Sequence, residues 1–146
     1  MNLSKIFIGA DHAGFNMKEK IKQFLLKHGY KVEDLSPEMV NGDDYPKHAF
    51  RVARAVRQNT NSRGILVCGS GVGMSMAANR IKGIRAVEAY DLYTAKMSRI
   101  DEDSNVISLR SRKFSESENT KILKAWLSTN FSNKKRHKRR IDELDD

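Results

Sequence analysis

The stretch "RGILVCGSGVGMSMAANRIKG", residues 63–83, decides how this chain is read. It opens on an apolar run, "GILVCG", passes through a loop with three glycines in five residues (Gly69, Gly71, Gly73), and continues as "VGMSMAANRI" with helical spacing. A strand apolar throughout has both faces covered, as in a parallel sheet flanked by helices. A glycine loop between strand and helix lets backbone amides point at an anion near the positive end of the helix. The same glycines equally suit a tight turn that needs them for geometry alone.

Outward from this stretch the alternation continues. Upstream, "KIFIGA" at 5–10 reads as a buried strand, and Phe15, Ile21, Phe24, Leu25 and Leu26 then recur with helical spacing up to Gly29. "YKVEDL" at 30–35 alternates as a strand, "SPEMVNGDDYP" collects loop formers, and a helix is expected from 47 to about 59. Downstream come the strand "IRAVEA", the helix "DLYTAKMSRI", the strand "NVISL" and a last amphipathic helix, "SESENTKILKAWLSTNF". Five strands alternating with five helices predict an α/β fold with one parallel sheet covered on both faces. Ligands of such sheets gather beyond the carboxyl ends of the strands, which brings "GADHAG", "CGSGVG" and the end of "NVISLRSR" to one rim.

The 146 residues suit one domain, and 39% hydrophobic with 31% charged residues is an ordinary globular composition. No apolar run reaches the roughly 20 residues of a membrane-spanning helix, and the polar start reads as neither anchor nor signal peptide. With one cysteine there is no internal disulfide, so a reducing cytoplasm is the expected compartment, and no Cys/His spacing suggests a metal. A net charge of +9 favours anionic partners, a class that spans nucleic acid, acidic lipid and phosphate esters. Near the end, "NKKRHKRR" precedes "IDELDD", six basic residues against four acidic ones, and reads as a terminal helix or arm reaching out from the domain.

Cys68 ends its strand at the mouth of the glycine loop, near a helix start that favours thiolate over thiol. That setting suits a base or nucleophile; the alternative is a buried cysteine packed as a small hydrophobe. Ser70 can move a proton between substrate oxygens or cap the helix. Asp11 and His12 stand at the end of the first strand, where they can hold sugar hydroxyls or a phosphate, or Asp11 can cap the helix after it. His28 and His48 lack such context and read as surface residues. Arg136 and Arg140, four apart, share a face if helical and can grip a phosphate; a solvated charge run or a nucleic-acid contact are the alternatives, the latter without interleaved aromatics for stacking. Neither common nucleotide signature fits: a dinucleotide fingerprint needs a glycine at Met74, and "GADHAG" continues with Phe15 and Asn16 instead of Lys and Ser or Thr.

Together, "GADHAG", "DYP" at 44–46, "CGSGVGMSMAANRIKGIRA", "SNV" followed by "SRK", and "RHKRR" resemble the B-type ribose-5-phosphate isomerase family, which includes galactose and allose phosphate isomerases. The resemblance covers nearly the whole chain. It implies a Rossmann-like three-layer sandwich over residues 1–132, a basic C-terminal arm over 133–146 that contributes to the partner's site, a homodimer often paired into a tetramer, and no metal or organic cofactor. It also implies interconversion of ribose 5-phosphate and ribulose 5-phosphate through an enediolate, with Cys68 as base and Ser70 assisting proton traffic. The alternatives are an isomerase of a six-carbon aldose 6-phosphate, or a non-catalytic sugar-phosphate-binding or regulatory subunit. Asp11, His12, Tyr45, Gly69, Gly71, Val72, Gly73 and Arg112 match substrate-binding positions, and Arg136 and Arg140 match phosphate-binding arginines from the partner subunit. One branch of the family places a glutamate at Met74. Where family members carry a ring-opening histidine and an asparagine, this chain has Asp101 and Glu102, and Arg110 replaces a glycine before "SRK". Asp101 thereby takes the catalytic position; the alternatives are that "DEDSN" is a solvated turn and that the enzyme relies on substrate already in open-chain form or on His12 for ring opening. The resemblance implies neither nucleic acid nor membrane as a partner.

Overall fold

The apolar runs all enter one sheet. The computed structural model describes residues 3–145, with elements β1 (Lys5–Ala10), α1 (Phe15–Lys27), β2 (Val32–Asp34), α2 (Tyr45–Gln58), β3 (Ser62–Cys68), α3 (Val72–Ala78), β4 (Ala86–Glu88), α4 (Leu92–Ile100), β5 (Val106–Arg110), α5 (Glu116–Ser128) and α6 (Lys135–Glu143). The strands lie in the order β2-β1-β3-β5-β4, and every pairing is parallel. This is the expected α/β fold with helices on both faces. α2 starts at Tyr45, two residues before the expected 47, because Pro46 occupies its first turn, where a fixed φ and a missing N–H cost nothing.

Side chains alternate along each strand, so the sheet feeds two cores. Ile6, Ile8, Ile65, Val67, Ile107 and Leu109 pack against Ile21, Leu25, Leu123 and Trp126 from α1 and α5. Phe7, Leu66, Cys68 and Val106 pack against Val52, Val56, Met74 and Ala78 from α2 and α3. Trp126 is fully buried and donates its indole N–H to Ser104 Oγ at 2.8 Å. α5 begins on a capping box of Ser115 and Glu118. The turn into α1 lies so close to β3 that a Cβ on Gly14 would overlap the Val67 carbonyl.

The basic tail is helical and is held across the amino edge of the sheet at both ends. His137 lies 3.5 Å from Asp101, which closes α4 just ahead of β5. Beyond the other end of α6, Asp145 accepts the Gly83 N–H at 2.9 Å, just ahead of β4.

Candidate active site

Strand order reverses between β1 and β3, so the loops after these strands leave a crevice at the carboxyl edge. Ala10 stands beside Val67 and Cys68 beside Arg110, which makes the ends of β1, β3 and β5 neighbours.

Cys68 is the last residue of β3 and only 5% exposed. Its Sγ accepts the Gly71 N–H at 3.1 Å, closing the glycine loop over the thiol. Gly71 takes a left-handed conformation at φ 82°, and its carbonyl accepts the Ser108 hydroxyl at 2.6 Å, which braces the loop from β5. Burial pushes the Cys68 thiol up; amides of Gly71, Met74 and Ser70 pull it down without offsetting the burial, and Asp11 adds to the rise. The expectation that the start of α3 favours thiolate is therefore corrected: burial outweighs it. Burial in the core that also holds Leu66 and Met74 desolvates the sulfur more than the helix start compensates. Both readings of Cys68 hold in part: it is a core residue, and it stands at the rim.

The other rim residues converge on the same loop. A Cβ on Gly69 would lie 2.7 Å from Arg112 Nη1, and one on Gly73 would lie 2.6 Å from Tyr45 Cε1, so guanidinium and phenol ring rest directly on loop backbone. Arg112 N–H donates to the Gly69 carbonyl at 3.0 Å, tying the segment after β5 to the loop after β3. Ser70 is exposed, and its Oγ accepts the Val72 N–H at 3.3 Å, beside a half-exposed Val72. Asp11 uses one oxygen to accept the Gly14 N–H at 3.0 Å, which closes the turn ahead of α1; the helix itself has Gly14 at its N-cap and no side-chain cap, so the alternative reading of Asp11 as its cap does not hold. His12 is exposed, its backbone N–H donating to Asp43 Oδ1 at 2.9 Å and its Nδ1 standing 3.1 Å from the same oxygen.

His48 is a second correction. Read as a surface residue, it is 4% exposed, with Nδ1 2.7 Å from Ser36 Oγ and Nε2 2.6 Å from Asp43 Oδ2. The start of α2 at Tyr45 turns His48 onto the face that also buries Val52 and Val56, a four-residue spacing visible in the sequence. Burial alone would raise the Asp43 carboxyl, but hydrogen bonds from the His12 N–H and from the His48 and His12 rings hold it below the usual carboxylate range. Asp43, His48 and Ser36 are the residues at this rim that sequence reasoning missed. His28 is exposed, as expected.

Three of the predicted residues stand elsewhere. Asp101 lies at the amino edge against His137, and Arg136 and Arg140 are exposed on α6. Arg136 Nε donates to His137 Nε2 at 3.3 Å, and Asp101 Oδ1 stands 3.5 Å from the same nitrogen, which then has no proton to give it, so Asp101 and Arg136 are neighbours at one imidazole but are not bonded through it. The seven residues of β3 put this edge about 20 Å from Cys68. Arg110 stays at the rim, its guanidinium 3.8 Å from the Phe114 ring centroid and 5.1 Å from that of Tyr90. Among the described residues no cluster of His, Cys, Asp and Glu could hold a metal ion, and no helix is long and apolar enough to cross a membrane.

Residues 6–144 match the model of the Ribose/Galactose Isomerase family. The chain is 43% identical over 141 residues to a probable ribose-5-phosphate isomerase B of Mycoplasma genitalium, covering 95% of this chain and 92% of that protein. It is 38% identical over 142 residues to the ribose-5-phosphate isomerase B of Escherichia coli, covering 97% and 95% of the two. The crystal structure of ribose-5-phosphate isomerase B from Mycoplasma genitalium with bound ribulose-5-phosphate superposes with a TM-score of 0.92 at 42% identity, over 98% of this chain and 95% of that one.

Proposed function

The chain belongs to the ribose/galactose isomerase family and is an isomerase, and on that premise we propose that it interconverts ribose 5-phosphate and ribulose 5-phosphate with Cys68 as the base. The observation that carries this reading is the position of Cys68 Sγ, at the end of β3 beneath the Gly71 N–H, within the influence of Asp11 and under a loop on whose backbone Tyr45 and Arg112 rest. The ribulose-5-phosphate bound to the Mycoplasma genitalium relative supports the substrate.

The chemistry is a proton transfer between adjacent carbons. Cys68, as thiolate, takes the proton from C2 of the open-chain aldose, and the electron pair moves through C1–C2 onto O1. An N–H of the loop from Gly69 to Gly73 that turns from its present partner, Cys68 Sγ for Gly71 and Ser70 Oγ for Val72, to that developing oxyanion would supply electrostatic stabilisation, which is often the largest catalytic term. Ser70 passes the O2 proton to O1 as the C2 carbonyl forms, and Cys68 returns its proton to C1. Asp11, His12 and Tyr45 hold the sugar, and Arg112 neutralises phosphate.

The site is completed by a second copy. α6 is held at both ends across the amino edge, which keeps Arg136 and Arg140 from the Cys68 of their own chain. Because Asp101 at the end of α4 lies next to the same imidazole as Arg136, a partner's rim that meets the arginines has Asp101 nearby.

Incubation with ribose 5-phosphate is expected to yield ribulose 5-phosphate. Cys68→Ala should lower that rate by about 10² to 10⁴ while binding persists, the usual cost of losing a general base. Binding without turnover by the wild-type chain would identify a non-catalytic binder, and full turnover by the alanine variant would return Cys68 to a packing role.

A further inference from the structure

Beneath the rim runs a buried chain of polar groups that the reaction above does not use. Lys18, fully buried, donates its Nζ to the Ser36 carbonyl at 2.6 Å and pairs with Asp34 at 2.7 Å, while Asp34 accepts the Ser36 N–H at 2.9 Å. Ser36 Oγ accepts the Ala10 N–H at 3.2 Å and lies 2.7 Å from His48 Nδ1. His48 Nε2 lies 2.6 Å from Asp43 Oδ2, and Asp43 Oδ1 faces both the backbone N–H and the ring Nδ1 of His12. Ser36, His48 and the Asp43 side chain are all under 5% exposed, whereas the ring of His12 opens onto the rim.

The direction of this chain follows from its two ends. A backbone N–H can only donate, and an ionised carboxylate can only accept. Ser36 therefore gives its hydroxyl proton to His48 Nδ1, since a protonated His48 would leave that buried hydroxyl with no acceptor among the described residues. His48 then carries its proton on Nε2 and donates to Asp43. His12 must likewise carry a proton on Nδ1 to meet the other oxygen, and no hydrogen bond among the described residues engages its Nε2.

We infer that Asp43, held by His48 and Ser36, is a positioning residue that pins the His12 proton on Nδ1 and presents Nε2 to the substrate as a hydrogen-bond acceptor for a sugar hydroxyl. The second-neighbour hydrogen bond of a histidine sets which nitrogen is free, and here that bond is anchored in the core through Lys18. A Ser–His–Asp order is also that of a hydrolytic nucleophile, but Ser36 is 3% exposed and commits its hydroxyl to Ala10 and His48, so it meets no substrate. The inference rests on the rim being the sugar-phosphate site; the tautomer of His12 does not.

The test starts with the substrate-free wild-type protein, whose ring nitrogens are read by nitrogen-15 correlation spectroscopy above the histidine titration range. The expected result is neutral His12 in the Nδ1–H form, opposite to the preference of free histidine, with His48 in the Nε2–H form. Asp43→Ala should release His12 to the Nε2–H form and lower kcat on ribose 5-phosphate by about 10- to 100-fold, the usual cost of removing a histidine's orienting partner, with KM changed far less. Ser36→Ala, which keeps Asp43, should leave the His12 tautomer in place. His12 in the Nε2–H form in the wild type, or an Asp43→Ala variant with altered tautomer and unchanged kcat, overturns the inference. If Asp43→Ala does not fold, the wild-type tautomer still decides. A chain inactive on ribose 5-phosphate but with His12 in the Nδ1–H form sinks the substrate assignment and supports the relay.

Discussion

If each site is divided between two copies, as proposed, mixed dimers face a quantitative demand. The carboxyl rim holds Cys68, and the opposite edge, about 20 Å away across the seven residues of β3, holds α6 with Arg136 and Arg140. One parent, Cys68→Ala, loses about 10² to 10⁴ in rate. The other, Arg136→Ala with Arg140→Ala, loses about 1.5 to 3 kcal/mol of substrate binding per charged hydrogen bond removed. In a heterodimer of the two, one site combines the alanine rim with the truncated arm and is doubly broken. The other combines an intact rim with an intact arm. Equal mixing with random reassociation makes about half the dimers heterodimers, so about one quarter of all sites are sound. The assay is ribulose 5-phosphate formation after the separately purified parents are dissociated together and reassembled. Recovery to about a quarter of wild-type turnover per site is expected, well above the sum of the parents. Activity equal to that sum, with heterodimers shown to have formed, would refute the reasoning and assign each site to one chain.

Two further outcomes are expected. Because burial raises the Cys68 thiol above the ordinary value of about 8.5, the thiolate fraction grows as pH rises toward that raised value, so kcat should climb above neutrality; a rate that is flat or falling there would remove Cys68 as the base. Gly14→Ala sets a methyl group against the Val67 carbonyl and should lower stability by about 1 to 3 kcal/mol, the range for overpacking, measured from urea unfolding midpoints; an unchanged midpoint would show that the α1 turn can lift from β3 at no cost.

Much of this architecture is legible from residue pattern because each strand reports both of its faces. Ile6, Ile8 and Ala10 go to one core and Phe7 to the other, and the apolar run before Cys68 identifies a central strand. The placement of β5 between β3 and β4 is not legible in that way, since the register that sets Cys68 beside Arg110 joins residues far apart in the chain. The glycine loop was readable for a local reason: three glycines at a strand-to-helix turn restrict what the backbone can be doing. His48 was misread because its partners, Ser36 and Asp43, lie 12 and 5 residues away and belong to a loop without periodicity. Its four-residue spacing with Val52 and Val56 is the signal in the sequence that marks its buried face. Asp101 is singled out by the resemblance of motifs, but motifs say nothing of which sheet edge a residue occupies. The antiparallel run of α4 relative to the strands decides that, and it sends Asp101 to the edge away from Cys68.

The closure of the glycine loop over the only thiol of the chain turns that thiol into a clock. While the loop is shut Cys68 is only 5% exposed, so reaction with a small alkylating reagent should run mainly through the form in which the Gly71 N–H has let go of its sulfur. With reagent in excess and reclosure fast, the labelling rate divided by that of an exposed thiol gives the fraction of time the segment is open. A sugar phosphate lying across the same backbone would hold it shut, so the slowing of alkylation with ligand concentration would trace an occupancy curve without any turnover being measured.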